Sequence, residues 1–136
     1  MLSTGSATSM MEAAIRSGVR DTLLAVVNGT FGERFAYVAE QCGKEVIRLH
    51  VPRGAVLDPE LLAQMLEGPP VDAISLVHCE TSTGALTPIE LLLPILQKQP
   101  DLITIVDDLE PPFVHISRNN PNVSGIPLNR SPDQLR

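Results

Sequence analysis

At 136 residues the chain is long enough for one domain and hardly two. Ten Lys and Arg against sixteen Asp and Glu leave a formal charge of −6, which argues against nucleic acid as the main partner. With 43% hydrophobic residues, 3% aromatics and no Trp, the expected core is aliphatic and no stacking platform for bases is present.

No apolar run approaches the roughly 18 residues that a membrane span needs. The start, Met1-Leu2-Ser3-Thr4-Gly5, has neither a basic nor an apolar signal region. Two cysteines, Cys42 and Cys79, make no disulfide framework, so a reducing, cytoplasmic setting is expected. The sequons at Asn28 and Asn122 are then chance matches.

The first element is a helix that follows Ser3-Thr4-Gly5-Ser6-Ala7-Thr8-Ser9 and runs through Met10-Met11-Glu12-Ala13-Ala14-Ile15. Thr22–Val27 is a continuous aliphatic run and reads as a strand buried on both faces. Phe31, Phe35, Val38, Ala39 and Cys42 share one face of a helix that Gly43 stops. Glu45–His50 is the second strand. Asp58-Pro59-Glu60 then supplies an N-cap with Pro at the first helical position, and Gly68-Pro69-Pro70 ends that helix. Ala73–Val77 is the third strand. Thr87 and Glu90 stand at capping-box spacing for a helix expected to reach Lys98, with Pro94 kinking or shortening it. Leu102–Val106 is the fourth strand and delivers Asp107-Asp108.

Strands alternating with helices imply an α/β fold with a mostly parallel sheet and flanking helices. Two regions are expected: residues 1–107 carry that alternation, and residues 108–136 form a Pro- and Asn-rich tail. Five prolines fall between Pro111 and Pro132, no helix or strand period survives, and the tail is expected to be mostly disordered.

In an open parallel sheet, ligands bind beyond the carboxyl ends of the strands, and three features fall there. The hydroxyl-rich run before the first helix offers N–H groups and a positive dipole end to an anion, or else is an ordinary Ser/Thr cap. It is not a Walker A loop, since no Gly-Lys-Ser/Thr follows. His78-Cys79-Glu80-Thr81-Ser82-Thr83-Gly84 is a polar loop after a buried strand. Three consecutive residues seldom converge on one ion, and a Cys–His dyad in adjacent residues is equally unsuited, so no metal site is expected. Asp107 can neutralise a cationic ring nitrogen, hold a metal or bind a ribose, or it is a solvated loop acid.

In order, the Ser/Thr-Gly-Ser-x-Thr run, Val27-Asn28-Gly29-Thr30-Phe31-Gly32-Glu33-Arg34-Phe35, His78–Gly84 and Ile105-Val106-Asp107 resemble the large domain of the class V aminotransferases. The branches most similar are 2-aminoethylphosphonate–pyruvate transaminase and the alanine–glyoxylate and serine–pyruvate enzymes. The resemblance covers Leu2 to Asp107. It implies part of a type I pyridoxal-phosphate transferase large domain, pyridoxal 5'-phosphate as cofactor, and transfer of an amino group from an amine or amino acid to a 2-oxo acid. It also implies a homodimer. Ser6, Ala7 and Thr8 match the family's phosphate-binding turn, with Ala7 where Gly is more usual. Phe31 matches the aromatic that stacks on the pyridine ring, Thr81 the hydroxyl that contacts the ring oxygen, and Asp107 the acid that pairs with the ring nitrogen. His78, Cys79 and Glu80 are expected to shape the loop rather than to take part in chemistry.

The family's reaction needs a lysine that holds the cofactor as an imine and moves the substrate's α-proton. The chain has two lysines, Lys44 and Lys98, and neither lies beyond Asp107, where the resemblance places that residue. A small-residue turn expected after the acid is replaced by Asp108-Leu109-Glu110-Pro111-Pro112. The chain by itself is therefore expected to lack transaminase turnover. The alternative expectation is a non-catalytic module that binds phosphate compounds or pairs with a longer homologue.

Overall fold

The computed structural model describes residues 7–108 and 113–118. Helix α1 is Ala7–Gly18, followed by β1 (Thr22–Val27), α2 (Thr30–Gln41), β2 (Glu45–His50), α3 (Pro59–Glu67) and β3 (Ala73–Val77). A small hairpin, β4 (Cys79–Glu80) and β5 (Ala85–Leu86), leads into α4 (Ile89–Leu96). The described residues end with β6 (Ile103–Asp108) and β7 (Phe113–Arg118).

Five strands form one sheet in the order β2-β1-β3-β6-β7. The first four are mutually parallel, with Thr22 opposite Glu45, Leu23 opposite Ala73, and Ala73 opposite Ile103. The chain runs from β1 to β2 on one side, then crosses back to β3 on the other. The order thus reverses between β1 and β3, and this reversal opens a crevice at their carboxyl ends.

Side-chain alternation along the strands builds two cores. Ala25, Val27, Ala73, Val77 and Ile105 face α1 and α2, where Met11, Ile15, Phe35 and Ala39 are buried. Leu24, Val26, Ile74, Leu76 and Val106 face the other way, onto Leu62 of α3 and Leu92 and Leu96 of α4. All five residues of β3 are buried, as a strand covered on both faces requires.

Local signals explain most boundaries. Asp58 caps α3 by accepting from Glu60 N–H at 3.0 Å, with Pro59 in the first turn. Gly43 takes the left-handed conformation, φ +77°, just past α2.

Three expectations are corrected. Thr87 does not cap α4: it is buried, its N–H donates to His78 O at 2.7 Å, and the helix begins at Ile89 after Pro88. The helix also ends at Leu96 rather than Lys98, with Pro94 inside its eight residues. Residues 113–118 of the expected unstructured tail form β7, antiparallel to β6, with Ile103 opposite Arg118 and Asp108 opposite Phe113. The reason is that β6 would otherwise present an unpaired edge. Phe113-Val114-His115-Ile116 is also a β-prone run whose Ile116 packs on the α1/α2 core. Strand β6 itself includes Asp107 and Asp108, so the expected division at residue 107 cuts within a strand. The rest of the expected tail lies outside the described residues.

Candidate functional site

Three segments meet around the crevice between β1 and β3. Helix α1 runs back toward the start of β1, so its own start lies at the carboxyl-end side of the sheet. Helix α2 begins there directly after β1. The β3 strand ends there and passes into the β4–β5 hairpin.

Asp107 lies on the same face as Ile105, the face that carries α1 and α2. It is half-buried, and its carboxyl is pushed above the usual carboxylate range. Loss of hydration is the largest cause, followed by the negative charges of Asp108 and Glu80. Its neighbour Asp108 points to the opposite face and meets His78, Nδ1 to Oδ1 at 3.2 Å. Of the two consecutive acids, Asp107 is therefore the one turned toward the crevice.

Phe31 is the second residue of α2 and packs against the α1/α2 core. The Arg34 guanidinium lies 5.2 Å from its ring centroid, a cation–π contact. Beside it a cavity of about 640 Å³ is lined by Asn28, Thr30, Arg34, Tyr37, His50 and Arg53.

The backbone at the start of α2 is held from a distance. Gly29 caps the helix but has no side chain to satisfy its first N–H groups. Glu80 does so: its Oε2 accepts from Phe31 N–H and Gly32 N–H, each at 3.1 Å. Ser82 Oγ donates to Glu80 Oε1 at 2.7 Å and accepts from Thr30 N–H at 3.0 Å. Glu80 is 0% exposed, so this carboxylate is satisfied entirely by protein groups. Gly32 allows α2 to sit close on β1, since a β-carbon there would lie 2.6 Å from Val26 O.

Thr81 is exposed in the hairpin turn, which Gly84 closes with φ +73° and an N–H donated to Glu80 O. Thr8 is half-buried in the first turn of α1, and Ala7 is that helix's first residue. Ser6 lies outside the described residues. Of the six expected residues, the fold brings Phe31, Thr81, Asp107 and the Ala7–Thr8 start of α1 to the carboxyl-end side of one sheet. The expected loop-shaping role of Glu80 takes the concrete form of a helix cap. Cys79 is a free thiol, and among the described residues no group of acids, His and Cys is arranged to hold a metal.

The two lysines lie at the other end of the sheet. Lys44 precedes β2 and donates from Nζ to Arg20 O at 2.9 Å, while Lys98 follows α4 on the way into β6. None of the described helices is long and apolar enough to cross a membrane.

No protein-family model matches the chain. An uncharacterised aminotransferase of Methanocaldococcus jannaschii is 39% identical over 109 residues, covering 78% of this chain and 28% of that protein. The 2-aminoethylphosphonate–pyruvate transaminase of Lactiplantibacillus plantarum is 33% identical over 107 residues, covering 76% of this chain and 29% of that protein. Among solved structures, alanine–glyoxylate aminotransferase from Nostoc sp. superposes with a TM-score of 0.71 at 35% identity, covering 76% of this chain and 28% of the other. Ureidoglycine–glyoxylate aminotransferase from Bacillus subtilis gives 0.70 at 30% identity, with 76% and 27% coverage. The chain thus spans less than a third of the length of the relatives that it matches.

Proposed function

The chain is homologous to aminotransferases over more than three quarters of its own length, and from that premise we propose that it carries part of the pyridoxal-phosphate site of a transaminase. The reaction served is transfer of an amino group from an amine or amino acid, with 2-aminoethylphosphonate one candidate donor, to a 2-oxo acid such as pyruvate. A cytoplasmic setting and a dimeric parent fit this reading.

The carrying observation is Asp107, a half-buried carboxylate on the α1/α2 face at the strand ends. Its raised pKa describes an acid that stands near two other acids and, among the described residues, is given no cationic partner. A protonated pyridine nitrogen would supply that partner, so the residue fits the group. When bound, the pyridine ring serves as the electron sink of the reaction, more strongly with its nitrogen protonated. Asp107 would keep that proton in place. Phe31 has one ring face taken by Arg34 and would stack with the other. The Thr81 hydroxyl would donate to the ring oxygen. The start of α1, with Ser6, Ala7 and Thr8, would hold the phosphate through N–H groups and the helix dipole.

The chain's own lysines do not complete this chemistry. Lys44 and Lys98 sit at the amino ends of the strands, away from Asp107, so neither can move a proton at the substrate. That placement supports the second reading, a non-catalytic module that binds phosphate compounds or pairs with a longer homologue. Calorimetric titration of the purified chain with pyridoxal phosphate tests the first reading. Saturable binding that is weakened by Asp107→Asn and by Phe31→Ala is expected. Absence of binding, or binding indifferent to both substitutions, would remove the cofactor reading.

A further inference from the structure

Glu80 is a fully buried carboxylate to which the reading above gives no part. Burying a charge is costly unless it is fully hydrogen-bonded, and here the backbone donors are the Phe31 and Gly32 N–H groups in the first turn of α2, with Ser82 Oγ of the same hairpin as the side-chain donor. An ordinary helix cap comes from the residue at the helix start, but Gly29 cannot supply one. The cap comes instead from a residue 48 to 49 positions along the chain, in the hairpin on the other side of the crevice. The contact therefore ties the α2 start to the hairpin that carries Thr81. One of its bonds is to the N–H of Phe31 itself.

We propose that Glu80 is the positioning residue of this site: with Ser82 it holds the Thr30–Gly32 backbone so that the Phe31 ring stands at the height and tilt needed for stacking. The inference rests on the cofactor reading of the crevice. Its physical basis is registration. The two walls of the crevice are joined by hydrogen bonds to a carboxylate, a class about twice as strong as neutral ones. Packing leaves little room for the carboxylate to drift, since a β-carbon on Gly29 would lie 2.5 Å from Glu80 Cδ.

The chain contains no Trp, so Phe31→Trp creates a single fluorescent reporter at the stacking position. Quenching of that indole by pyridoxal phosphate is measured in the F31W chain and in F31W/E80Q, F31W/S82A and F31W/D72A. E80Q keeps the side-chain volume but removes the charge and turns one acceptor into a donor. The dissociation constant is expected to rise about tenfold with E80Q and about threefold with S82A, in line with losing a charged and a neutral hydrogen bond. D72A removes hydrogen bonds at the opposite end of the sheet and is expected to lower the melting temperature with the dissociation constant unchanged. Titrations are run where circular dichroism shows every variant folded; if E80Q does not fold, the comparison of S82A with D72A decides. Quenching of equal affinity in E80Q, or in S82A where that comparison decides, and in the parent would overturn the role of Glu80 and leave the cofactor reading standing. No quenching in the F31W chain itself would overturn both.

Discussion

Gly29 and Glu80 pack so closely that Gly29 has room for hydrogen only: a β-carbon there would lie 2.5 Å from Glu80 Cδ and 2.6 Å from Ser82 Oγ. Neither atom can retreat without breaking a hydrogen bond to the start of α2. Gly29→Ala is therefore expected to cost about 1–3 kcal/mol, toward the upper end because a buried carboxylate is disturbed. Gly43→Ala is a useful contrast. Nothing lies within 4 Å of its would-be β-carbon, but its φ of +77° is left-handed. That substitution should cost about 1 kcal/mol, from backbone strain alone. Urea denaturation of the two variants, read by circular dichroism, checks the order.

Asp107 gives a pH prediction with a definite sign. Its folded-state pKa is raised above the unfolded value by burial and by the charges of Asp108 and Glu80. The folded chain thus binds this proton more tightly than the unfolded chain does. The stability so gained is fully present below the ordinary carboxylate range and is lost as pH rises through the folded value. Asp107→Asn, which cannot ionise, is expected to be more stable than the parent near neutrality, with the advantage vanishing in acid. The same substitution should weaken pyridoxal-phosphate binding. A gain in stability paired with a loss of binding marks a residue kept for its site. Melting temperatures at neutral and acid pH, beside calorimetric titration, check both halves.

At the amino end of the sheet, Asp72 does for β1 what Glu80 does for α2. Its carboxylate accepts from Asp21 N–H at 2.6 Å and Thr22 N–H at 3.0 Å. Asp72→Ala leaves both donors without that partner and is expected to cost about 1–2 kcal/mol, the range for a partly solvated group. A lower melting temperature with unaltered cofactor binding is the expected pattern.

Much of this arrangement was legible in sequence because aliphatic runs such as Thr22–Val27 and Ala73–Val77 admit few readings between Gly, Pro and polar stretches. The position of Asp107 followed from the same source, since a run of apolar residues in a strand carries the acids that follow it to the carboxyl end. Three features were not legible. The Thr87–Glu90 spacing matches a capping box, but Thr87 N–H is drawn to His78 O by the hairpin, and no local pattern reports such a pairing. Strand β7 hides in a proline-rich segment because its partner edge on β6 is supplied by the sheet. The cap from Glu80 links residues 48 to 49 apart, and the sequence shows only a Glu in a polar loop and a helix start with Gly in place of a capping side chain.

The lysines give the last prediction. A carbonyl cofactor reacts with any accessible amine, so spectra of the chain with pyridoxal phosphate can show an adduct that has nothing to do with the crevice. Lys98 is exposed and Lys44 half-buried, and both lie at the amino ends of the strands. Lysine adducts should therefore form at these two positions, be trapped by borohydride, and disappear in the K44R/K98R double variant, leaving only adduct on the chain's α-amine. Non-covalent binding at Asp107 and Phe31 should be unchanged in that variant, because the two ends of the sheet are separate. No pyruvate-dependent turnover is expected with 2-aminoethylphosphonate or any other amino donor, in either form, since no amine of the described residues stands beside Asp107 to move the substrate's proton. Mass spectrometry of the trapped adduct locates the modified lysine, and a pyruvate-to-alanine assay measures turnover. Turnover that survives purification from host enzymes and is abolished by K44R or K98R would show that a lysine reaches the crevice after all.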